Sequence, residues 1–578
     1  MSSAVILVLF PLVGAGLALL GKLLRPAGLF SVLAVLPLAG MAAGLALQLP
    51  GVLAGEVSRY ALGGWPEPQG IALVLDGMAW LQSALIVGIS LFVAVAAFAG
   101  GHVDPKKRYG PSFYFFFMIL ISGMEAVALT GDIFTMFVAF EVVAVAAYVL
   151  IAYDQTDAGL LASLKYLILS SVGILFFLFG VFLIYREIGT LSLAAIQERL
   201  AAGAVGGPGG GTGAGAATNE TTLRLAVVAL CVGIGVRTAF IPFHTWLPEA
   251  HAYAPHPVSA LLSGVLIKVS FFAMLRIISV FSAAYFADLL LWIGAITAVF
   301  AVFWALAQSD AKRLLAYHSI SQMGYVLAAF GAATALSLPA AFAHAINHAL
   351  FKSLLFIAVG TAIGMTGERD VYHMRPIGRR APLLALALLV GALSIAGIPP
   401  FNGFASKQFV SAAVYGSPAY VLLWVTAVGT TASFMKLLRI ARPWGGKASA
   451  GGAAPGTAGQ ADIRRPGRLI HVATLGLSLA SLAAGIFGRQ LLSLYRRLLS
   501  VTPRDGGGAA DMPQLYSLSA LSDSALILGL GIALYFLVMT APGKRVSTAV
   551  RSLTPQLGTI LLFFFVGLGL FSVIALLG

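Results

Sequence analysis

The sequence predicts an all-α, polytopic membrane protein, and three observations carry that prediction. Apolar residues fill 60% of the 578 positions while Asp, Glu, Lys and Arg together fill 10%, against roughly a quarter charged in soluble domains. The apolar residues fall into about sixteen runs, each close to the ~20 residues a helix needs to cross a bilayer. The 35 Lys and Arg, against 21 Asp and Glu, cluster in short loops between those runs, as the positive-inside rule expects. The formal charge of +14 is therefore a record of membrane topology, and a nucleic-acid partner is excluded.

In order, the expected spans are Ala4–Leu20, Leu29–Leu47, Asp76–Ala99, Ser112–Thr130, Ile133–Tyr153, Leu160–Tyr185, Leu223–Leu247 and Pro257–Phe281. They continue with Phe286–Ala307, Leu314–Thr334, Pro339–Thr366, Leu383–Gln408, Tyr420–Ile440, Leu469–Phe487, Ala525–Met539 and Thr559–Leu577. The first has no basic n-region before it and reads as a retained span, not a cleaved signal. Lys22, Arg25, Lys106–Arg108, Lys312, Arg313, Arg379, Arg380, Arg439, Arg442, Arg464, Arg465, Lys544 and Arg545 fall on one side. The other side has mainly Arg59, Arg186, Arg199, Arg489, Arg496 and Arg497. That asymmetry places both termini on the non-cytoplasmic side of the cell inner (plasma) membrane.

Two loops, Gly203–Ala216 and Gly445–Arg468, are Gly-rich connectors. The first lacks the GK[ST] ending and the preceding strand of a phosphate cradle. Arg489–Val501 is basic and amphipathic, and is expected at the membrane surface or against a neighbour. Cys231 is the one cysteine, too few for an internal disulfide or a thiolate-bound iron–sulfur cluster. No cofactor is expected.

Charges inside the spans carry the functional signal. Glu141, Lys165, Arg237, Lys268, Lys352 and Lys407 all fall within apolar runs. Each costs about 2.5–3.5 kcal/mol at a helix centre on insertion scales, so they are expected to face one another or water and not lipid. In "AFAHAINHALFKSLLFIAVG" (Ala341–Gly360), His344, His348 and Lys352 stand four residues apart and so share one helix face. Three readings fit that stack: half of a metal site, imidazoles tied to backbone carbonyls, or a file of protonatable groups. Two spans are also interrupted by proline beside a buried cation: Pro242 after Arg237, and Pro399 and Pro400 before Lys407. Proline removes a helix hydrogen bond, and paired broken helices point to inverted-repeat transporters. Counting spans between the breaks gives a repeat of about five helices.

Six stretches in order then become recognisable: "GDIFTMFVAFEVVAVAAYVLIAYD", "LKYLILSS", "IPFHTWLPEAHAYAPHPVSALLSGVLIKV", "SDAKRLLAYHSISQMG", "HAINHALFKSLLF" and "GIPPFNGFASK". Together they resemble the antiporter-like membrane subunits of respiratory complex I, Mrp-type cation/proton antiporters and membrane-bound energy-converting hydrogenases. The resemblance implies two inverted five-helix repeats (112–281 and 286–440), flanked by N-terminal helices (1–111) and a C-terminal part (441–578). It implies a hydrated charged axis carrying protons. On that axis fall Glu141, Lys268, the relay His344, His348 and Lys352, the terminal Lys407, and His244 after the first break. Arg237 departs from the family's usual lysine; arginine is effectively never deprotonated, which puts the usual lysine switch there in doubt. His318 stands where many complex I and Mrp subunits have a small hydroxyl residue, and hydrogenase-type relatives often have histidine.

The expected function is thus a proton- or Na⁺-translocating subunit of a larger redox-driven complex, with other membrane subunits and the lipid bilayer as partners. A D-type subunit of an Mrp Na⁺/H⁺ antiporter is the alternative on the same fold. A membrane partner of a bicarbonate uptake system is a further one. A subunit that itself binds haem or quinone is disfavoured by the lack of cysteine clusters.

Overall fold

The computed structural model describes residues 3–24, 27–103, 109–202, 220–281, 286–443, 465–499 and 513–552, with three isolated positions beyond. Its helices run α1 (Ser3–Leu23), α2 (Ala27–Leu53), a hairpin of β1 (Ser58–Ala61) and β2 (Ala72–Leu75), then α3 (Gly77–Val103) and α4 (Pro111–Leu129). Next come α5 (Ile133–Ile151), α6 (Asp157–Ile188), α7 (Leu193–Ala201), α8 (Glu220–Thr238), α9 (Leu247–Tyr253) and α10 (His256–Leu261). A π-helical turn (Leu262–Leu266) joins α10 to α11 (Ile267–Val280). The second half holds α12 (Phe286–Ala307), α13 (Ala311–Gly331), α14 (Ser337–Thr366), α15 (Pro382–Ala396), α16 (Asn402–Ala413) and α17 (Ala419–Leu437). It closes with α18 (Arg468–Ile486), α19 (Gly488–Leu499), α20 (Leu518–Met539) and α21 (Ala541–Ser552).

Thirteen helices among the described residues are long and apolar enough to cross a membrane. The expected sixteen spans reduce to that number for three reasons. The expected Leu314–Thr334 span is α13, which starts at Ala311 with Lys312 and Arg313 in its first turn and holds His318, Ser319, Ser321 and Gln322 in its body. Leu383–Gln408 is two shorter helices, α15 and α16. Thr559–Leu577, like the loop 203–216, most of 445–468 and Lys106–Arg108, lies outside the described residues.

Local chemistry sets the helix ends. Asp132 accepts from Thr135 N at the start of α5, Thr156 from Gly159 N at α6, and Asp310 from Lys312 N and Arg313 N at α13; these oxygens satisfy donors that the first turn leaves free. Both proline-bearing spans are broken. The expected Leu223–Leu247 span stops as α8 at Thr238, and Ala239–Trp246 is non-helical before α9. α15 stops at Ala396, where Gly397 takes φ 80°, and α16 restarts at Asn402. A side chain at Gly397 would also press on Lys407 Cδ at 3.1 Å, so glycine serves both the turn and the lysine beside it.

α19 covers most of the amphipathic stretch Arg489–Val501. Its apolar face, Leu492, Tyr495, Leu498 and Leu499, is buried against this chain's own α3, α14 and α16. The neighbour of its apolar face is thus the protein itself, with Arg489 and Arg497 left outward.

α12 and α13 cross with their backbones in close contact. A Cβ on Gly294 would lie 2.4 Å from Ala328 N, and one on Gly324 would lie 2.5 Å from Gly294 O. Gly294 and Ala298 face Gly324 and Ala328, small residues at four-residue spacing that let membrane helices touch backbone to backbone. Gly324→Leu should push the two helices apart. Overpacking of this kind costs about 1–3 kcal/mol or more, so a lowered melting temperature of the detergent-purified protein, relative to an outward-facing Phe300→Leu control, is the expected result.

Candidate functional site

α14 sets the centre of the site. His344, His348 and Lys352 are all fully buried. His344 Nδ1 lies 3.0 Å from Ser406 Oγ on α16, and Nε2 lies 3.2 Å from Gln322 Oε1 on α13. Both ring nitrogens are thereby engaged, and the His344 and His348 rings lie 6.5 Å apart. The pair is not arranged to share a metal ion. From His344 the cluster extends to the Tyr325 ring at 5.5 Å and from Tyr325 to Lys407 Nζ at 5.4 Å. On the other side, the charged neighbours of His348 are Lys268 and Lys352.

The buried ammonium groups share one device: backbone carbonyls hold them. Lys407 Nζ donates to Ile395 O at 2.6 Å and Lys352 Nζ to Leu315 O at 2.5 Å. Lys268 Nζ donates to Ser263 O. Ile395 belongs to the last turn of α15, and Ser263 to the π turn, where carbonyls are released from the regular helix ladder. A carbonyl accepts from an ammonium and equally from a neutral amine, so these lysines keep a partner in either protonation state. A carboxylate partner would instead lock the charge in place.

Several imidazoles have no protein partner. Both ring nitrogens of His348, His318 and His251 are buried without one. Buried polar groups find partners in ordered water when protein offers none. Ser263 Oγ and Ser319 Oγ, 2.7 Å apart, bridge the π turn and α13.

The other expected residues form a separate part of the site. Arg237, buried at the end of α8, reaches Glu141 Oε1 at 3.1 Å with its guanidinium 5.2 Å over the Phe140 ring. Glu141 is not buried as expected. Its side chain is 42% exposed, on the outward stripe of α5 with Phe134, Val138, Val142 and Val145. α5 is apolar all round, so periodicity did not reveal which face points inward. Lys165 is half-buried and pairs with Glu249 Oε2 at 2.7 Å. His244 lies in the broken segment, buried, with its ring 5.3 Å from that of Trp304. Next to Lys165, Tyr166 stacks on Trp246 at 4.2 Å, and Trp246 Nε1 donates to Val236 O at 2.7 Å. That clamp ties the broken segment to α6.

Sequence reasoning passed over four ionisable groups, three of them buried. Glu249 sits in the quoted "WLPEAH", and its pairing with Lys165 joins residues 84 apart in the chain. Lys312 donates to Ala254 O at 2.6 Å. Lys436 donates to Leu306 O and Gln308 O, 2.8 and 2.5 Å away at the end of α12. Glu125 is fully buried in α4. For Lys436 and Glu125 the signal was present: each is a charge inside an expected span.

Residues 130–435, which include every expected site residue, match the family described as NADH:quinone oxidoreductase/Mrp antiporter, transmembrane. The chain belongs to this family. It is a multi-pass integral membrane protein. Within the family, it is 32% identical over 410 residues to the NADH-quinone oxidoreductase subunit N of Desulforudis audaxviator, covering 70% of this chain and 78% of that one. It is also 32% identical over 387 residues to the Na(+)/H(+) antiporter D subunit of Alkalihalophilus pseudofirmus, covering 66% and 75%. Its fold matches a chain of the archaeal membrane-bound sulfane sulfur reductase, a respiratory membrane complex, with a TM-score of 0.74 and 25% identity over 91% of this chain and 99% of that one.

The Lys165–Glu249 pair joins α6 to the segment after the break, and its contribution is measurable. Lys165→Met, Glu249→Gln and the double variant should give a coupling energy of about 0.5–1 kcal/mol in a thermal double-mutant cycle. Additive effects would show that the pair does not fasten the segment.

Proposed function

We propose that this chain is the ion-translocating membrane subunit of a larger, redox-driven complex, and that protons move along Lys268, Lys352, His348, His344 and Lys407. The observation that carries this reading is that five ionisable side chains lie together, buried: the three lysines on backbone carbonyls, His344 on Ser406 and Gln322, His348 with no protein partner, and none in an ion pair that would fix its charge. Glu141 and Arg237, Lys165, His244 and His318 belong to the same path as its approach and lining. Arg237 acts there as a fixed counter-charge to Glu141, because a guanidinium does not release its proton. The exposure of Glu141 supports membership of an assembly: a carboxylate facing lipid near mid-membrane is costly, and a neighbouring subunit against α5 removes that cost. The excess of Lys and Arg on the α12–α13 and α20–α21 side supports a cytoplasmic assignment for that face, with both termini opposite. The 1–111, 112–281, 286–440 and 441–578 division stands as part of the same proposal.

A D-type subunit of a Na⁺/H⁺ antiporter is the second reading, favoured by an identity equal to that with the respiratory relative. Purification from native membranes separates the two. Iron–sulfur or hydrogenase subunits should accompany the chain on the first reading, and only further antiporter subunits on the second.

In the assembled complex, Lys407→Ala should abolish proton translocation while assembly persists, and Lys407→Arg should be impaired. Fluorescent pH indicators in proteoliposomes give the readout, and wild-type rates in the alanine variant would reject the path. Arg237→Lys should keep translocation, since the charge survives, whereas Lys268→Ala should block it. The reverse pattern would end the counter-charge role.

A further inference from the structure

A buried acid lies away from the line just described, in a helix N-terminal to the family's matched region. Glu125, on α4, is fully buried. Ser83 on α3 donates to its Oε2 at 2.6 Å, while Oε1 has no protein partner. Beside Ser83 in the chain, Gln82 is 1% exposed with neither amide atom partnered. Further along α3, Ser90 Oγ is also buried and unpartnered. Unmet polar groups concentrated on two apolar helices need a physical reason, because each costs free energy unless water or a ligand completes it.

The other end of this polar row opens to the membrane face that carries the β1–β2 hairpin. Asp76, at the start of α3, pairs with Arg276 at 2.9 Å, and both line a cavity of about 200 Å³ together with Arg59, Glu67 and Gln197. Asp76 and Ser83 are two helical turns apart, or about 10 Å along the axis, and so they lie on the same side of α3. A few waters would span that distance, and Gln82, one residue before Ser83, carries an unpartnered donor and acceptor.

We propose that Glu125 is a proton-binding site that exchanges with water on the hairpin face through the Asp76–Arg276 cavity and the Gln82–Ser83 stretch of α3. The ligand is a proton delivered by hydronium. It bonds to Oε1, the oxygen that Ser83 leaves free, and the neutral carboxyl removes an uncompensated charge from an apolar site. Release returns the proton to water by the same route. The site stands independently of the central lysines and histidines, and its signature belongs to the carboxyl itself and not to transport.

Infrared difference spectroscopy of the purified full-length chain in its membrane assembly, over a pH titration, supplies the test. The expected signal is the C=O stretch of a protonated carboxyl that shifts in D₂O and is lost in Glu125→Gln. Glu125→Asp should keep a band at a displaced frequency, which preserves the assignment if the Gln variant assembles poorly. Exchange into D₂O should slow in Gln82→Leu. A titrating band indifferent to both Glu125 variants would overturn the proposal. So would a Glu125 band that never exchanges, or one that exchanges as fast in Gln82→Leu as in the unsubstituted protein.

Discussion

The need to keep ammonium groups solvated inside an apolar bundle governs the rest of this structure. A lysine in the bilayer interior must find a partner, and here the partners are main-chain carbonyls: one inside α13, Leu315 O for Lys352, and others at irregular backbone. The α15 end frees Ile395 O for Lys407, the π turn frees Ser263 O for Lys268, and the α12 end frees Leu306 O and Gln308 O for Lys436. The carbonyl ends of helices carry partial negative charge, which favours a cation there. At α15 the break and the buried lysine are two halves of one arrangement, since the helix end at Gly397 leaves Ile395 O for Lys407.

The buried and half-buried cations are held in two ways. Lys268, Lys352 and Lys407 rest on backbone carbonyls. Arg237 and Lys165 pair with carboxylates instead, Glu141 and Glu249. An ion pair is the stronger hold on charge, and a guanidinium does not release its proton. The clamp of Tyr166 on Trp246 ties the non-helical segment beside these pairs to α6.

Much of this was readable in the sequence, because lipid enforces simple rules. Run length and loop charge give the helices and their order, proline gives the two breaks, and the i, i+4 spacing puts His344, His348 and Lys352 on one face. Motif resemblance placed Lys268 and Lys407 with them, and the fold brings all five together. Only the tertiary structure decided partners and facing. Ser406 and Gln322 reach His344 from other helices, and nothing local in their sequence marks them for that contact. Glu249 meets Lys165 across 84 residues. The outward turn of Glu141 was hidden because α5 is apolar on every side, and the inward turn of Glu125 and Lys436 because an isolated charge in an apolar run carries no direction. A one-dimensional pattern fixes which residues enter the membrane; which of them touch depends on the rotation and crossing of whole helices, and those are set by packing between small residues such as Gly294 and Gly324.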